Sequence, residues 1–411
     1  MVACAALILS ILIYYAFRFT FRHVEGGKKK GEAQVVVDNL TPEQTKQRIV
    51  ALCLVFAVVI FFWMAFHQNG LTLTYFADEF TNTTAVGFDT MLFNVWNLAL
   101  IIIAVYATFS IFQSEGAKAK ILSGVLASAI LAFLVYRAMG IEATAEISVA
   151  APIFQQFNPF YVVALTPVSM AIFGALARKG KEPSAPRKIA YGMLVAAIGF
   201  MIMAVGSNGL NTPNEQQRAI AVDKAETFAK EYYTVAATAE DFETLKGDAE
   251  VAATIKPATD FMGKLNKNTR PVFFDVYNAS VTVLKANEAE DNTAVAEAEA
   301  SLAAIKADTK PETRTSPYWL IFTYLILTFA ELLLSPMGIS FVSKVAPPKL
   351  KGLMMGGWFV ATAIGNMLVA VGGFLWAGLP LWSVWTVFIV LCLLSALFMF
   401  IMMKRLEAVT K

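Results

Sequence analysis

Glu331 is the residue whose type and position most directly permit chemistry. It lies mid-way along the apolar run FTYLILTFAELLLSPMGISF, where an ionised side chain costs about 2.5–3.5 kcal/mol at a helix centre. Such a carboxylate either packs as a neutral acid against a Ser or Thr, or binds a cation or carries a proton. Ser335 follows one turn later on the same face. Pro336 then removes a backbone donor, as pores and transporter gates tolerate. His67 closes the segment FFWMAFHQNGLTLTYFA, four residues after Trp63. Imidazole titrates near neutral pH, so His67 reads either as an interfacial histidine or as a proton carrier. Gln68, Asn69, Thr72 and Thr74 continue it as a polar stripe. Gln155, Gln156 and Asn158 precede Pro159. Asn158 there suits a helix cap with Pro159 in the first helical position, a role compatible with an amide facing a cavity. Trp358 and Thr362 share a helix face, the indole serving as packing, as a belt residue or as the wall of a substrate pocket.

The elements that must position these residues are membrane spans. The chain has 411 residues, is 57% hydrophobic and 16% charged, and has a mean hydropathy of +0.59. Soluble domains run near 45–50% apolar and about 25% charged, so an ordinary soluble enzyme is excluded. Nine apolar runs read as spans, at roughly 2–17, 49–68, 92–112, 121–139, 158–177, 189–206, 318–341, 353–376 and 382–402. The first is followed by Arg18, Arg22 and Lys28 to Lys30 and has no basic residue before it, the opposite of a secretory signal. It reads as a span with its N-terminus outward or as the tail of a longer span.

Charge sets the orientation. The segments 18–48, 113–120, 178–188 and 344–351 and the tail 404–411 carry the Lys and Arg, whereas 78–89 and 140–151 are acidic. The positive-inside rule then places the basic loops in the cytoplasm, N-out and C-in, across a cytoplasmic (inner) membrane. Residues 208–316 hold 12 Lys+Arg against 18 Asp+Glu and fall on the external or periplasmic side. This insert reads as helical. Thr212-Pro213-Asn214-Glu215 has the form of a capping box with Pro at the first position, and 289–306 is a second helical stretch. Phe228, Tyr232, Phe242, Phe261, Phe273, Phe274 and Tyr277 supply a small core. The remaining divisions are 49–207, which contains an extra hairpin at 92–139, and the last three spans at 317–403. A basic membrane part with an acidic insert does not point to nucleic acid. Cys4, Cys53 and Cys392 lie in apolar runs as packing residues, with no metal-ligand spacing. No Walker A, GxSxG or HExxH pattern is present, so no enzyme activity and no cofactor is expected.

At these residues a family pattern emerges. Glu331, Ser335, Pro336, Gly338 and Ser340, then Ala346, Pro347, Gly352, Met355, Gly356, Trp358, Phe359, Gly365 and Asn366, resemble the tenth and eleventh helices of the proton-dependent oligopeptide transporters (POT/PTR) of the major facilitator superfamily. Ala330 stands where that family usually has Gly. QQFNPFYVVALTP and FFWMAFHQNGLTLTYFA resemble two further family helices, in family order. The resemblance covers the C-terminal half. It implies an all-α polytopic membrane protein, a major-facilitator-type C-terminal bundle with an extra transmembrane hairpin and an extramembrane helical insert. It also implies proton-coupled symport of di- and tripeptides. Glu331 would bind the peptide ammonium, Asn158 the peptide backbone, and Trp358 a side chain, with Ser335 a weaker neighbour. His67 stands where the family usually has a proton-coupling Glu, so coupling would fall to His67 and Glu331. The family's ExxERFxYYG pattern and the cations for the peptide carboxylate have no counterpart here. A missing N-terminal half or a dimer partner is therefore expected, beside small peptides, protons and the lipid bilayer. The rivals are a same-fold carrier of another solute (nitrate or a drug-like anion) and a non-transporting anchor that displays the acidic insert.

Overall fold

The computed structural model describes residues 2–21, 40–247 and 249–409. Most of the basic linker expected at 18–48 lies outside the described residues. The chain is almost entirely helical. Its principal elements are α1 (Val2–Ala16), α2 (Pro42–Phe66), α3 (Thr72–Glu79), α4 (Val95–Gln113), α5 (Ala117–Met139), α6 (Phe157–Arg178) and α7 (Ala185–Gly206). In the insert these are α8 (Pro213–Tyr232), α9 (Thr269–Glu288) and α10 (Asn292–Lys306). The last group is α11 (Tyr318–Val345), α12 (Lys351–Leu368), α13 (Ala370–Gly378) and α14 (Leu381–Ala408).

Among the described residues, eight helical segments are long and apolar enough to cross a membrane, one fewer than the nine runs. The ninth is α1, whose 15 residues reach about 22 Å at 1.5 Å per residue, short of a hydrocarbon core of about 30 Å. A two-stranded ribbon pairs Thr84–Val86 with Glu146–Ser148 antiparallel, Ala85 opposite Ile147. It closes the loops at one end of the hairpin α4–α5.

Helices α2, α7, α11 and α14 form the centre, with α7 packed along both α11 and α14. Gly192, Gly199 and Gly206 recur every seven residues, so they share one stripe of α7. A Cβ at Gly192 would sit 3.0 Å from the Ala330 carbonyl oxygen, and one at Gly206 would sit 2.7 Å from the Trp319 ring. The absence of side chains is what lets the two backbones approach. By contrast α5 is mostly exposed along its length and α4 and α6 have few fully buried residues, with large apolar side chains such as Leu122, Tyr136 and Met170 facing outward, the pattern of a lipid-facing surface. Of the three cysteines only Cys392 packs in the core. Cys4 and Cys53 are exposed, so the packing role expected for all three holds for one.

The insert has a separate core. Phe228, Tyr232, Phe242, Phe273 and Tyr277 are buried in it, with Phe261 and Phe274 half-buried at its edge. Its first helix begins at the expected capping box: Glu215 N–H donates to Thr212 Oγ1 and Thr212 N–H donates to Glu215 Oε2, the latter at 2.9 Å. The second begins at Asn292, where Asp291 accepts from two backbone N–H groups, rather than at 289. The insert is seated on one end of the bundle. Gln216, fully buried, donates to the Glu79 carbonyl at 2.7 Å, and Thr315 N–H donates to the Phe80 carbonyl at 2.7 Å. The Glu79 carboxylate accepts from Gln217 Nε2 at 2.8 Å and from Trp376 Nε1 at 3.2 Å. One side chain thereby ties α3, α8 and α13 together.

Candidate functional site

Glu331 lies on α11, half-buried, and is reached by Asn158 of α6. Asn158 Nδ2 donates to Glu331 Oε2 at 3.3 Å and to Thr328 Oγ1 at 3.2 Å. Among the described residues Asn158 is the only hydrogen-bond partner of Glu331, and no Lys or Arg pairs with it. The two residues are 173 apart in sequence, so only the fold brings them together.

Asn158 does not cap its helix. The helix begins at Phe157, two residues earlier than the Asn-Pro pair suggests, and no side chain caps it. The cause is packing. Phe157 is fully buried against Phe93, with Phe154 alongside, at ring separations of 5.9 and 5.4 Å from Phe93. That aromatic cluster holds the 3-10 turn 151–156 against the helix start and turns the Asn158 amide toward α11. Gln155 donates to Thr74 Oγ1 at 2.9 Å and Gln156 to the Phe93 carbonyl at 3.4 Å, so these amides hold the loop.

Two residues of this cluster carry no signal as isolated letters. Tyr324 and Thr328 precede Glu331 by seven and three positions, which places all three on one helix face. Thr328 donates to the Tyr324 carbonyl at 2.7 Å, and the buried Tyr324 hydroxyl donates to the Asn69 carbonyl at 2.8 Å. A polar seam therefore runs from the 67–70 turn along α11 to Glu331 and Asn158. The spacing of the hydroxyls from Glu331 was the available clue. Ser335, one turn beyond, is half-buried and makes no hydrogen bond among the described residues.

His67 stands where α2 gives way to the 3-10 turn 67–70. Its ring stacks on Trp63 with centroids 5.0 Å apart, and Nδ1 lies 3.1 Å from the Trp63 carbonyl oxygen. A carbonyl only accepts, so Nδ1 carries the proton and Nε2 is left to take another. No hydrogen bond or ion pair among the described residues joins His67 to Glu331. Trp358 is buried and packed: a Cβ on Gly338 would lie 1.9 Å from its ring, and Phe56 meets it edge-on at 6.5 Å. Gly338 is the recess that accepts the indole between α11 and α12. Trp358 and Glu331 are thus held on the same helix pair, with no hydrogen bond between them among the described residues.

The run 353–376 is not one helix. It breaks at Val369 between α12 and α13. Gln68, buried, donates through Nε2 to the Val369 carbonyl at 3.1 Å and to the Met64 carbonyl at 3.0 Å. A glutamine from α2's end takes the acceptor that the break exposes.

Two cations of the spans are engaged near helix ends. Lys188 is buried on α7 but is paired with Glu182 and lies over the Phe173 ring at 4.1 Å. Arg137 donates to Asn97 Oδ1 at 2.6 Å within the extra hairpin. Among the described residues, no His/Cys/Asp/Glu cluster could hold a metal ion.

The fold and these residues define a polytopic helical membrane protein with a half-buried carboxylate–amide pair between two of its spans. The sequence matches the model of the POT family (PTR2) over residues 125–224 and 291–373. Over these segments the chain is similar to the POT family. It is 41% identical over 58 residues to the peptide transporter YePEPT of Yersinia enterocolitica, covering 14% of this chain and 11% of that one. It is 42% identical over 65 residues to dipeptide and tripeptide permease B of Salmonella typhimurium, covering 15% and 13%. It is 31% identical over 101 residues to solute carrier family 15 member 2 of Rattus norvegicus, covering 25% and 14%. The aligned stretches thus span well under two thirds of those relatives. A crystal structure of a peptide transporter POT in complex with alafosfalin superposes with a TM-score of 0.45 at 14% identity, over 100% of this chain and 52% of that one.

Proposed function

We propose that this chain supplies the C-terminal half of a proton-coupled carrier of di- and tripeptides in the cytoplasmic membrane, rather than an enzyme. The observation that carries the reading is the Glu331–Asn158 pair: an acid and an amide, 3.3 Å apart, held between two spans with no cation among the described residues paired with the acid. Glu331 would receive the peptide ammonium, and Asn158, released from it, would turn to the peptide backbone. Midplane sites of this kind form between the two halves of a carrier. The family match and the names of the relatives support peptides as the cargo. Trp358 and Ser335 would shape the adjoining wall.

Proton coupling would use Glu331, with His67 as the second group. The tautomer fixed by the Trp63 carbonyl leaves Nε2 free to accept a proton, the property that coupling needs. The basic loops would face the cytoplasm, and the insert 208–316 would cap the outer end. The carboxylate of the peptide would meet a cation from outside the described residues, in an N-terminal half or a partner subunit.

The test is uptake of labelled dialanine by the protein in reconstituted vesicles under an imposed pH gradient. Glu331→Gln should abolish uptake while leaving expression and the melting profile intact, since Gln can still accept from Asn158. Normal uptake by that variant would sink the assigned role. Uptake of nitrate or a drug-like anion that unlabelled dialanine fails to compete would favour the same fold with another cargo.

A further inference from the structure

A second cluster of charge lies away from Glu331, where three helix ends meet. Arg48 is on the first half of α2, Lys344 is in the last turn of α11, and Lys351 opens α12. With Ser343, Leu40 and Pro348 they line a cleft of about 380 Å³. Among the described residues, no carboxylate lies within ion-pair reach of any of the three cations. Arg48 is half-buried and anchored: its Nη1 donates to the Val345 carbonyl at 3.4 Å, at the negative end of α11. Arg187 is paired with Glu407 and Lys188 with Glu182.

We infer that this cleft binds the phosphate of an anionic phospholipid. Three like charges in one concavity repel one another, and an anion with several acceptor oxygens relieves that. A guanidinium held by one N–H keeps its other donors for a phosphate, and Ser343 can supply a hydroxyl. The location selects a lipid over a soluble anion. The cleft sits at the ends of three spans, at headgroup depth, and Leu40 and Pro348 give it an apolar edge for the glycerol backbone. Basic pockets between membrane helices recognise anionic headgroups in this way. The inference does not depend on the peptide-transport reading.

The test is native mass spectrometry of the full chain in neutral detergent, titrated with phosphatidylglycerol or phosphatidylcholine. Wild type should retain one phosphatidylglycerol more tightly than phosphatidylcholine. Replacing Arg48, Lys344 and Lys351 together by Gln should weaken retention by about fivefold per cation, roughly a hundredfold in all. Changing Arg178, Lys179 and Lys181 to Gln removes as much charge elsewhere and should leave retention unchanged. If the triple variant does not fold, the exposed Lys351→Gln alone should still cost about fivefold. Equal retention of the two lipids, equal loss in the control variant, or displacement of the lipid by millimolar inorganic phosphate would each overturn the inference.

Discussion

Gly372→Ala probes the joint between α12 and α13. A Cβ at Gly372 would fall 2.0 Å from Gln68 Oε1 and 2.9 Å from its Nε2. The glutamine cannot move aside, because it is fully buried and its Nε2 holds the Met64 and Val369 carbonyls at 3.0 and 3.1 Å. Making room breaks both bonds, about 1 kcal/mol each, and strands buried polar groups for about 1–3 kcal/mol more. The expected loss is about 3–5 kcal/mol, a fall in melting temperature of roughly 6–20 °C at about 2–4 °C per kcal/mol. Gln68→Ala alone should also destabilise, by lost bonds and an added cavity. In the double variant the new methyl enters the space the amide vacated, so the two losses should fail to add by about 2 kcal/mol. Tryptophan fluorescence melts of the four proteins in one detergent give the cycle. A silent Gly372→Ala, or a double variant whose loss is the plain sum, would refute the account of the joint.

Gly206→Ala should destabilise by about 1–3 kcal/mol because its methyl meets the Trp319 ring at 2.7 Å, whereas Gly352→Ala, with nothing within 4 Å, should be neutral or mildly stabilising in the same melts. The Lys310 ammonium, and after it the Thr212 N–H, hold the Glu215 carboxyl below its ordinary value of 4.5. The stabilisation is therefore complete above that ordinary value and is lost as pH falls through the lower native one. Amide exchange at 212–216, corrected for intrinsic rates, should lose protection only below pH 4.5, and Glu215→Gln should lack that step; a wild type without the step would remove the argument. Binding to the reconstituted chain should survive amidation of a dipeptide's carboxyl end and fail on acetylation of its amino end, as calorimetry can read. The reverse preference would place a cation, not Glu331, at the heart of the site.

Much of this molecule is legible in its sequence, and the exceptions share a cause. The apolar runs mark the helices because length and hydropathy are local. Thr212-Pro213-Asn214-Glu215 announces a helix start because a capping box spans four residues, and the structure starts α8 there. Glu331 stands out because a lone acid in an apolar run is costly. What escaped depends on distant partners. Asn158 looks like a cap until Phe93 and Phe154 pull Phe157 into the core and start the helix early. The run 353–376 looks continuous until Gln68, some 300 residues earlier, takes the carbonyl of Val369. Trp358 reads equally as packing, belt residue or pocket wall, and its burial depends on the recess at Gly338. The glycines of α7 were legible as close-contact residues only once α11 was known to lie against them.

The two members of the candidate pair belong to parts of the molecule with different rigidity. Glu331 is on α11, which is gripped along its length by α7 and backed by α2, with fully buried Tyr324, Leu327 and Leu334 around it. Asn158 is on α6, whose residues are mostly half-buried or exposed, with only Phe157, Ala164 and Pro167 fully buried, and which packs on α11 and on the hairpin helix α4. Local stability follows buried contact, so α6 is the element that yields first. The link between them is long for a charge-assisted hydrogen bond, at 3.3 Å, where 2.7–2.9 Å is usual. A ligand ammonium that takes Glu331 therefore displaces a weak contact and frees the looser of two helices. Binding at that carboxylate would be felt as a change in how α6 sits on α11, which is the coupling between site and movement that a carrier requires.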